Sequence, residues 1–380
     1  MYIYQKQLDN LSSLVEPDKV VLIYGPRRAG KTTLINKYSE GLPENEKERM
    51  LMVTGDDIGV REYLESQSIS KLKDFVGEND ILFVDEAQRI RQVGLNLKLI
   101  VDNIPGIRVI ATGSSSIDLA HDTGAPLTGR KFTLKLYPLS QIETGAGEAA
   151  HQTRANLESR LIYGSYPEII INRDNRFRRE YLAELISSYL FKDIFELESV
   201  RHSGKLVKLL RLLAFQIGSE VSISELGTHL GMSKNTVDRY LDLLEKAFVI
   251  FRREGFSRNL RKEITKSCRF YFLDSGVRNA LIDNFNPLEL RDDKGQLWEN
   301  YIVIERMKKL EYMRDFKTSW FWRTYDKKEI DLIEEGEGRL DGYEIKFQGK
   351  SSKPPSDWTR AYPQAGFRVI SRDNYLDFIT

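Results

Sequence analysis

A single cysteine, Cys268, in 380 residues excludes a disulfide framework and a cysteine-rich zinc site. Histidine is scarce as well. His121, His151, His202 and His229 lie far apart without metal-ligand spacing, and each reads as a surface or cap residue. Neither sign of charge is in excess: 57 Lys and Arg against 56 Asp and Glu leave a formal net charge of +1, so any basic surface for nucleic acid has to be local. Apolar runs are short. Residues 20–24 and 209–215 are among the longest, far below the ~20 residues of a membrane helix, so no membrane partner is expected. The first residues are too poor in apolar side chains for a secretory signal, and the expected location is cytoplasmic. No internal repeat or low-complexity tract stands out. The length exceeds what one compact core accommodates, and two to four domains are expected.

What is present begins with an apolar strand over residues 20–24 that runs into Gly25, Pro26, Arg27, Arg28, Ala29, Gly30, Lys31, Thr32 and Thr33. Gly-x-x-x-x-Gly-Lys-Thr between a strand and a helix is a phosphate-binding loop. Its glycines permit positive φ, and its backbone N–H groups close around phosphate oxygens. Lys31 is expected to reach the β and γ phosphates and Thr32 to place its hydroxyl on Mg²⁺, while the following helix aims its positive end at the anion. A second apolar strand, residues 81–84, ends in Asp85 and Glu86. Asp85 suits a place in the Mg²⁺ shell, and Glu86 the polarisation of an attacking water. An Asp–Glu pair favours ATP hydrolysis over a GTP switch, whose base contacts require an Asn-Lys-x-Asp motif that the sequence lacks. ATP and Mg²⁺ are therefore the expected cofactors. The strand at 109–112 ends in hydroxyls (Thr112, then Ser114, Ser115 and Ser116). In a parallel sheet its tip lies beside Asp85, where Thr112 or Ser114 senses the γ-phosphate or orients the water. The competing reading is an ordinary Ser/Thr-rich turn.

Up to about residue 140, strands at 20–24, 49–53, 81–84, 109–112 and 132–136 alternate with helical patterns, which predicts a parallel sheet covered by helices. Residues 141–197 are helical in pattern, interrupted by Tyr163, Gly164, Ser165, Tyr166 and Pro167. Next, Ser222 and Glu225 form a capping box that opens a short helix through Leu230. Gly231 turns the chain, and Ser233 caps a longer helix from Lys234 to Phe248. The spacing fits a helix-turn-helix with Leu226, Leu230, Val237, Leu241 and Leu244 facing a core. Lys234, Asn235, Asp238 and Arg239 open the second helix. Arg252, Arg253, Arg258, Arg261, Lys262, Lys266 and Arg269 follow, with Phe251 and Phe256 interleaved: the footprint of a DNA-contacting wing. Protein docking is the competing use of such a module.

Thr128, Gly129 and Arg130 immediately precede the fifth strand. At this point the chain resembles the AAA-type ATPases, and the resemblance implies that Arg130 acts as a finger on a neighbouring subunit's nucleotide, hence a homo-oligomer. Several motifs in order narrow it: Gly-Pro-Arg-Arg-Ala-Gly-Lys-Thr-Thr, Phe-Val-Asp-Glu-Ala-Gln, Ala-Thr-Gly-Ser-Ser-Ser, Gly129-Arg130 with Tyr137-Pro138-Leu139-Ser140, and Tyr163-Gly-Ser-Tyr-Pro-Glu168. Over nearly its whole length the chain is similar to a prokaryotic family of AAA-type ATPases that ends in a domain of unknown function related to PD-(D/E)XK nucleases.

The C-terminal residues carry that last point. Residues 322–333 and 343–347 read as two strands of a hairpin, with Asp331 on one and Glu344 and Lys346 sharing a face of the other. Acid, acid and lysine in that order form the PD-(D/E)XK constellation, in which carboxylates bind Mg²⁺ and the lysine orients water. Glu299, on a preceding helix, supplies the additional acid. Charge alternation on a solvated hairpin is the competing reading. The expected fold is α/β: an AAA-type P-loop core with a parallel five-stranded sheet (1–140), a helical lid (141–200), a winged helix-turn-helix (201–280) and an α+β nuclease-like domain (281–380). The expected function is an ATPase that couples nucleotide state to DNA binding or processing. Its alternatives are an NTP-gated endonuclease and a nucleotide-dependent protein-docking switch.

Overall fold

The computed structural model describes residues 2–114, 127–190, 203–256, 268–324, 326–349 and 352–380. The chain divides into two compact units, the first chiefly Met1–Leu139, the second Ser140–Ser188, Val200–Glu245 and Val249–Thr380. The expected boundary near residue 280 falls inside the second unit. Among the described residues no helix is long and apolar enough to cross a membrane.

The first unit is built on β1 (Lys19–Tyr24), β2 (Met50–Thr54), β3 (Ile81–Asp85), β4 (Arg108–Gly113) and β5 (Lys131–Lys135). They form one sheet in the order β2-β3-β4-β1-β5, every neighbouring pair parallel. Parallel strands are covered on both faces, which is why β1 and β3 are nearly continuous aliphatic runs rather than alternating ones. On one face the helices Gln7–Leu14 and Lys31–Glu40 bury Leu11, Leu14, Leu34, Ile35 and Tyr38 against Val21, Ile23, Phe83 and Ile110. The helix Val93–Asn103 packs against β1 and β4. All strands run the same way, so the ends of β1, β3 and β4 meet at one edge, where ligands of open α/β sheets bind.

In the second unit the helices Ser203–Phe215, Ile223–Leu230 and Lys234–Lys246 accompany a three-stranded antiparallel sheet, β6 (Glu220–Val221), β8 (Cys268–Phe272) and β7 (Ile250–Glu254), in that order. Ser222 accepts the Glu225 amide at 3.3 Å, but Glu225 lies 3.8 Å from His229 instead of returning to the cap, so the capping box is half made. Gly231 takes the left-handed conformation at φ 56°, and Ser233 accepts the Thr236 amide at 3.2 Å. Leu226, Leu230, Val237, Leu241 and Leu244 are all buried, as their spacing requires.

The C-terminal sheet has the order β12 (Gly366–Ile370), β11 (Arg339–Ile345), β10 (Glu329–Gly336), β9 (Thr318–Arg323), with β12 parallel to β11 and the other pairs antiparallel. Residues 322–333 are thus not one strand. They are the end of β9, a turn and the start of β10, and the hairpin partner of β11 is β10 alone. The turn forms because Asp326, Lys327 and Lys328 have no apolar face to bury, Lys327 takes φ 62°, and the Thr324 amide closes onto the Lys328 carbonyl at 2.9 Å. Trp322, Ile330, Ile333, Leu340 and Trp358 form the core beneath, joined by Phe256, whose amide donates to the Phe321 carbonyl at 2.6 Å.

The segment Tyr163 to Pro167 is a locking turn. Fully buried Asp274 accepts the Ser165 amide at 2.7 Å and caps the helix Ser275–Leu281 through the Val277 amide at 3.0 Å. Gly164 sits at φ 77°, and a Cβ there would lie 2.1 Å from an Asp274 carboxylate oxygen. Gly164→Ala is therefore expected to cost about 2 kcal/mol or more, from left-handed strain plus displacement of a buried carboxylate. Urea unfolding of the purified variant measures this, and an unchanged midpoint would contradict the assignment.

Candidate functional site

The loop of residues 25–30 joins β1 to the helix Lys31–Glu40 at the carboxyl edge of the first sheet. Gly25 is required by contact, since a Cβ there would lie 2.1 Å from the Leu136 carbonyl oxygen, and Gly30 by its φ of 98°. Pro26 and Ala29 are buried, Arg27 is half-buried, and Arg28, Thr32 and Thr33 are exposed. Lys31 is buried, its Nζ donating to the carbonyls of Gly25 at 2.7 Å and Pro26 at 3.1 Å, which holds the ammonium over the loop.

Across the edge, Asp85 links the ends of three elements. Its Oδ2 accepts the Thr32 hydroxyl at 3.0 Å, and its Oδ1 accepts the Thr112 hydroxyl and the Glu86 amide, the latter at 3.1 Å. Glu86 has a left-handed backbone at φ 48°, unusual for a residue with a side chain. Gln88 donates to the Glu86 carboxylate at 2.5 Å and to the Ser114 hydroxyl at 3.1 Å, so one amide fixes both groups. Thr112 and Ser114 thus stand beside Asp85 and Glu86, while Ser115 and Ser116 lie outside the described residues.

Two residues here escaped the sequence reading. Gln88 stood inside the motif Phe-Val-Asp-Glu-Ala-Gln without a role. Gln5, ahead of the first strand and outside any pattern, is buried beneath the loop and donates to the Ala29 carbonyl at 3.3 Å. Arg130 lies elsewhere. Its carbonyl accepts the Val20 amide, placing it at the amino edge of the sheet, five residues back from the loop or roughly 17 Å along a strand. Its guanidinium pairs with Asp102 at 2.9 Å and is half exposed.

The basic stretch after the helix-turn-helix is less of a surface than its sequence suggests. Lys234, Asn235, Asp238 and Arg239 are exposed at the start of their helix. Arg252, however, pairs with Asp238 at 2.9 Å, Arg253 is buried over the Phe251 ring, and Arg269 is buried among carboxylates. The antiparallel pairing of β7 with β8 sets Arg253 directly opposite Arg269, on strands where both side chains are buried. Arg258, Arg261, Lys262 and Lys266 lie outside the described residues.

The C-terminal acids do converge, around an arginine. Arg269, on β8, donates to Glu299 at 3.2 Å and to Glu329 at 2.7 Å and lies 3.6 Å from Asp331. Glu299 also accepts the Tyr271 hydroxyl at 2.8 Å, and Asp331 accepts the Ile345 amide at 2.8 Å. Burial, with the Asp331 charge, pushes the Glu299 carboxyl up to about 8, and burial, with the Glu344 charge, pushes Asp331 up to about 6. Glu344 pairs with exposed Lys346 at 2.5 Å just beyond the end of β11. Among the described residues no three carboxylate, imidazole or thiolate groups converge in a geometry that holds a metal ion. The four expected residues are neighbours, but the cation among them is a guanidinium, and this arrangement does not fit Mg²⁺. The loop site does fit it: a hydroxyl and a carboxylate oxygen, hard donors, stand together at the phosphate end of the helix.

Residues 17–145 match the family model described as AAA domain, residues 154–288 a domain of unknown function (DUF8612) and residues 294–373 a domain of unknown function (DUF4143). An uncharacterized protein of Mycobacterium tuberculosis is 28% identical over 330 residues, covering 86% of this chain and 70% of the relative. One of Haemophilus influenzae is 23% identical over 355 residues, covering 87% and 82%. Among solved structures, a signal transduction ATPase with numerous domains and a tetratricopeptide repeat sensor, from Pyrococcus horikoshii, aligns at a TM-score of 0.30 and 13% identity. That alignment covers 82% of this chain and 47% of the solved one, so the chain spans about half its length. The AAA-domain match thus falls chiefly in the first unit and the DUF4143 match in the second.

The raised Glu299 carboxyl has a consequence for stability. Between the ordinary carboxylate range and about pH 8 the native state keeps a proton that the unfolded chain has lost. Stability therefore falls as pH rises through that window. Urea midpoints measured from pH 5 to 8 are expected to decline in the parent protein and to decline less in Glu299→Gln. Equal slopes would show that Glu299 ionises normally.

Proposed function

We propose that the chain is an ATP-hydrolysing enzyme of the AAA type whose nucleotide state governs how its second unit engages DNA. The observation that carries the first half is the Asp85 network. Lys31 is positioned by the loop carbonyls to meet phosphate oxygens as a mobile point charge. The loop amides and the helix start bind and orient the triphosphate. Thr32 and Asp85 would hold Mg²⁺, which when bound neutralises phosphate charge. Glu86 is the group that takes a proton from water at the γ-phosphate, aimed by Gln88 and by its own left-handed backbone. Thr112 and Ser114 fix Asp85 and Gln88 and so register what occupies the loop.

Arg130 stands at the wrong edge to reach its own subunit's phosphates, so a finger role requires a neighbouring copy, and a homo-oligomer belongs to the proposal. The DNA half rests on the exposed start of the helix Lys234–Lys246 within a winged-helix arrangement. A cytoplasmic location and four functional segments, 1–140 core, 141–200 lid, 201–280 winged helix and 281–380 nuclease-like, complete it. One second reading has its own observation. Glu299, Asp331, Glu344 and Lys346 are neighbours, which favours an endonuclease, whereas Arg269 among them favours the non-cleaving, docking alternative.

Glu86→Gln is expected to bind ATP normally and to lose turnover by about 10²-fold or more, whereas Lys31→Ala loses binding. Arg130→Ala should bind ATP but turn over slowly, and mixing it with Lys31→Ala protein should restore rate if the finger acts between subunits. Calorimetry with ATP and a phosphate-release assay read both. Unchanged turnover in Glu86→Gln would remove that residue from the mechanism. For the endonuclease reading, incubation with supercoiled DNA in Mg²⁺ or Mn²⁺ should give nicking that Asp331→Ala abolishes with ATPase intact. Absence of nicking in the parent protein under either metal decides for the non-cleaving form.

A further inference from the structure

The second unit contains a cavity of about 420 Å³ lined by Arg154, Phe347, Gln348, Arg372, Asp373 and Tyr375, among others, and Phe347 directly follows Lys346 of the carboxylate cluster in the chain. Arg154 comes from the helix Ala150–Tyr163, Phe347 and Gln348 from the chain just past β11, and the rest from the turn and short helix after β12. Its lining combines rings and cations. The Phe347 ring is backed edge-on by Trp298 at 5.9 Å, and Trp298 also meets the Tyr375 ring at 5.2 Å. Cations stand beside these rings: Arg154 and Arg372 are exposed, and the Arg372 guanidinium lies over the Phe347 ring, 5.1 Å from its centroid.

At the wall is a buried donor and acceptor. Tyr375 is 1% exposed, yet its hydroxyl has no hydrogen-bond partner among the described residues. Burial raises its phenol, and the charges of Arg160, Arg154 and Arg372 oppose that rise, so all three guanidiniums are within electrostatic reach of the oxygen. Leaving such a group unpaired is costly, and proteins rarely do so without a use for it.

We propose that this cavity binds a nucleoside monophosphate, with the phosphate on Arg154 and Arg372, the Tyr375 hydroxyl donating to the same anion, and the base against Phe347. The volume is at the scale of small-ligand pockets. Guanidinium pairs match phosphate geometry, and an aromatic wall accepts any base face. Asp373 distinguishes this ligand from a plain anion, because a carboxylate in the lining repels phosphate alone but accepts an exocyclic amine. The same chemistry is offered by a free nucleotide and by the 5′ end of a DNA strand. Nothing here depends on ATP hydrolysis or on cleavage by the carboxylate cluster.

The test uses the full chain carrying Lys31→Ala, which removes the phosphate loop as a competing site, in calorimetric titrations. The probes are deoxyadenosine monophosphate, inorganic phosphate, and a short single-stranded oligonucleotide with and without a 5′ phosphate. The monophosphate should bind at least tenfold more tightly than inorganic phosphate, and Arg154→Ala and Arg372→Ala should each weaken it at least tenfold. Both side chains are exposed, so folding is not at risk. Tyr375→Phe should weaken it several-fold while leaving the unfolding midpoint unchanged or raised, which separates ligand contact from a structural role. A phosphorylated oligonucleotide that binds tenfold more tightly than the monophosphate assigns the pocket to strand ends, and equal affinity assigns it to free nucleotide. Unchanged affinity in the arginine variants, equal binding of inorganic phosphate, or no binding at millimolar nucleotide would overturn the proposal.

Discussion

The carboxylate of Asp85 holds together groups that the chain delivers from three places: Thr32 at the start of the helix after β1, Thr112 near the end of β4, and the amide of Glu86 that follows on β3 itself. Each bond is local, but together they fix where the carboxyl edge of the sheet converges. This convergence requires parallel strands in the order β3-β4-β1, because only then do these ends become neighbours. The apolar runs of β1 and β3 therefore serve the site as well as the core. They bury the strands on both faces and leave the acid and the hydroxyls as the first polar atoms at the rim. Gln88 extends the same arrangement to Glu86 and Ser114, so the carboxylate and the hydroxyl share a single amide.

The second unit answers a different constraint, the cost of burying charge. Asp331 is buried and Glu299 partly buried beside it, and the raised Glu299 carboxyl together with nearby cations limits the charge that has to be buried. Arg269 supplies one directly, and Arg253, buried on the neighbouring strand, adds its charge to Glu299 and Glu334. The bidentate pair of Arg306 with Glu334, at 2.8 and 2.7 Å, repeats the solution three residues further along β10. Acids that match a metal-binding order are here satisfied by protein cations.

The difference between these two sites explains what was legible in the sequence. The loop, the acid-tipped strand and the hydroxyl-tipped strand are each contiguous, with roles set by backbone position, and the parallel sheet follows from their order. Asp331, Glu344 and Lys346 were also legible as an ordered set, since alternation on β10 and β11 is local. Arg269 was not. It belongs to a stretch that reads as basic surface, and only the pairing of β7 with β8, with no sequence signal of its own, turns Arg253 and Arg269 inward. Gln5 was invisible for the same reason, because its role comes from tertiary proximity to the loop. The turn between β9 and β10 was missed because its charged residues extend an alternating pattern past the point where the chain reverses.

That inward turn changes what the helix-turn-helix region can offer to nucleic acid. Of the seven cations from Arg252 to Arg269, Arg252 is paired with Asp238, Arg253 is buried and Arg269 is held by carboxylates, which leaves at most four for phosphates. Lys234 and Arg239 add two more from the exposed helix start. Each phosphate neutralised contributes about −0.9 to the slope of log affinity against log salt on duplex DNA. A nucleic-acid complex through this surface, if formed, would consequently be less salt-sensitive than the sequence alone implies. The positive charge of Arg269 is engaged with the carboxylates, so a substitution that frees it would disturb the fold before it added a cation to the surface.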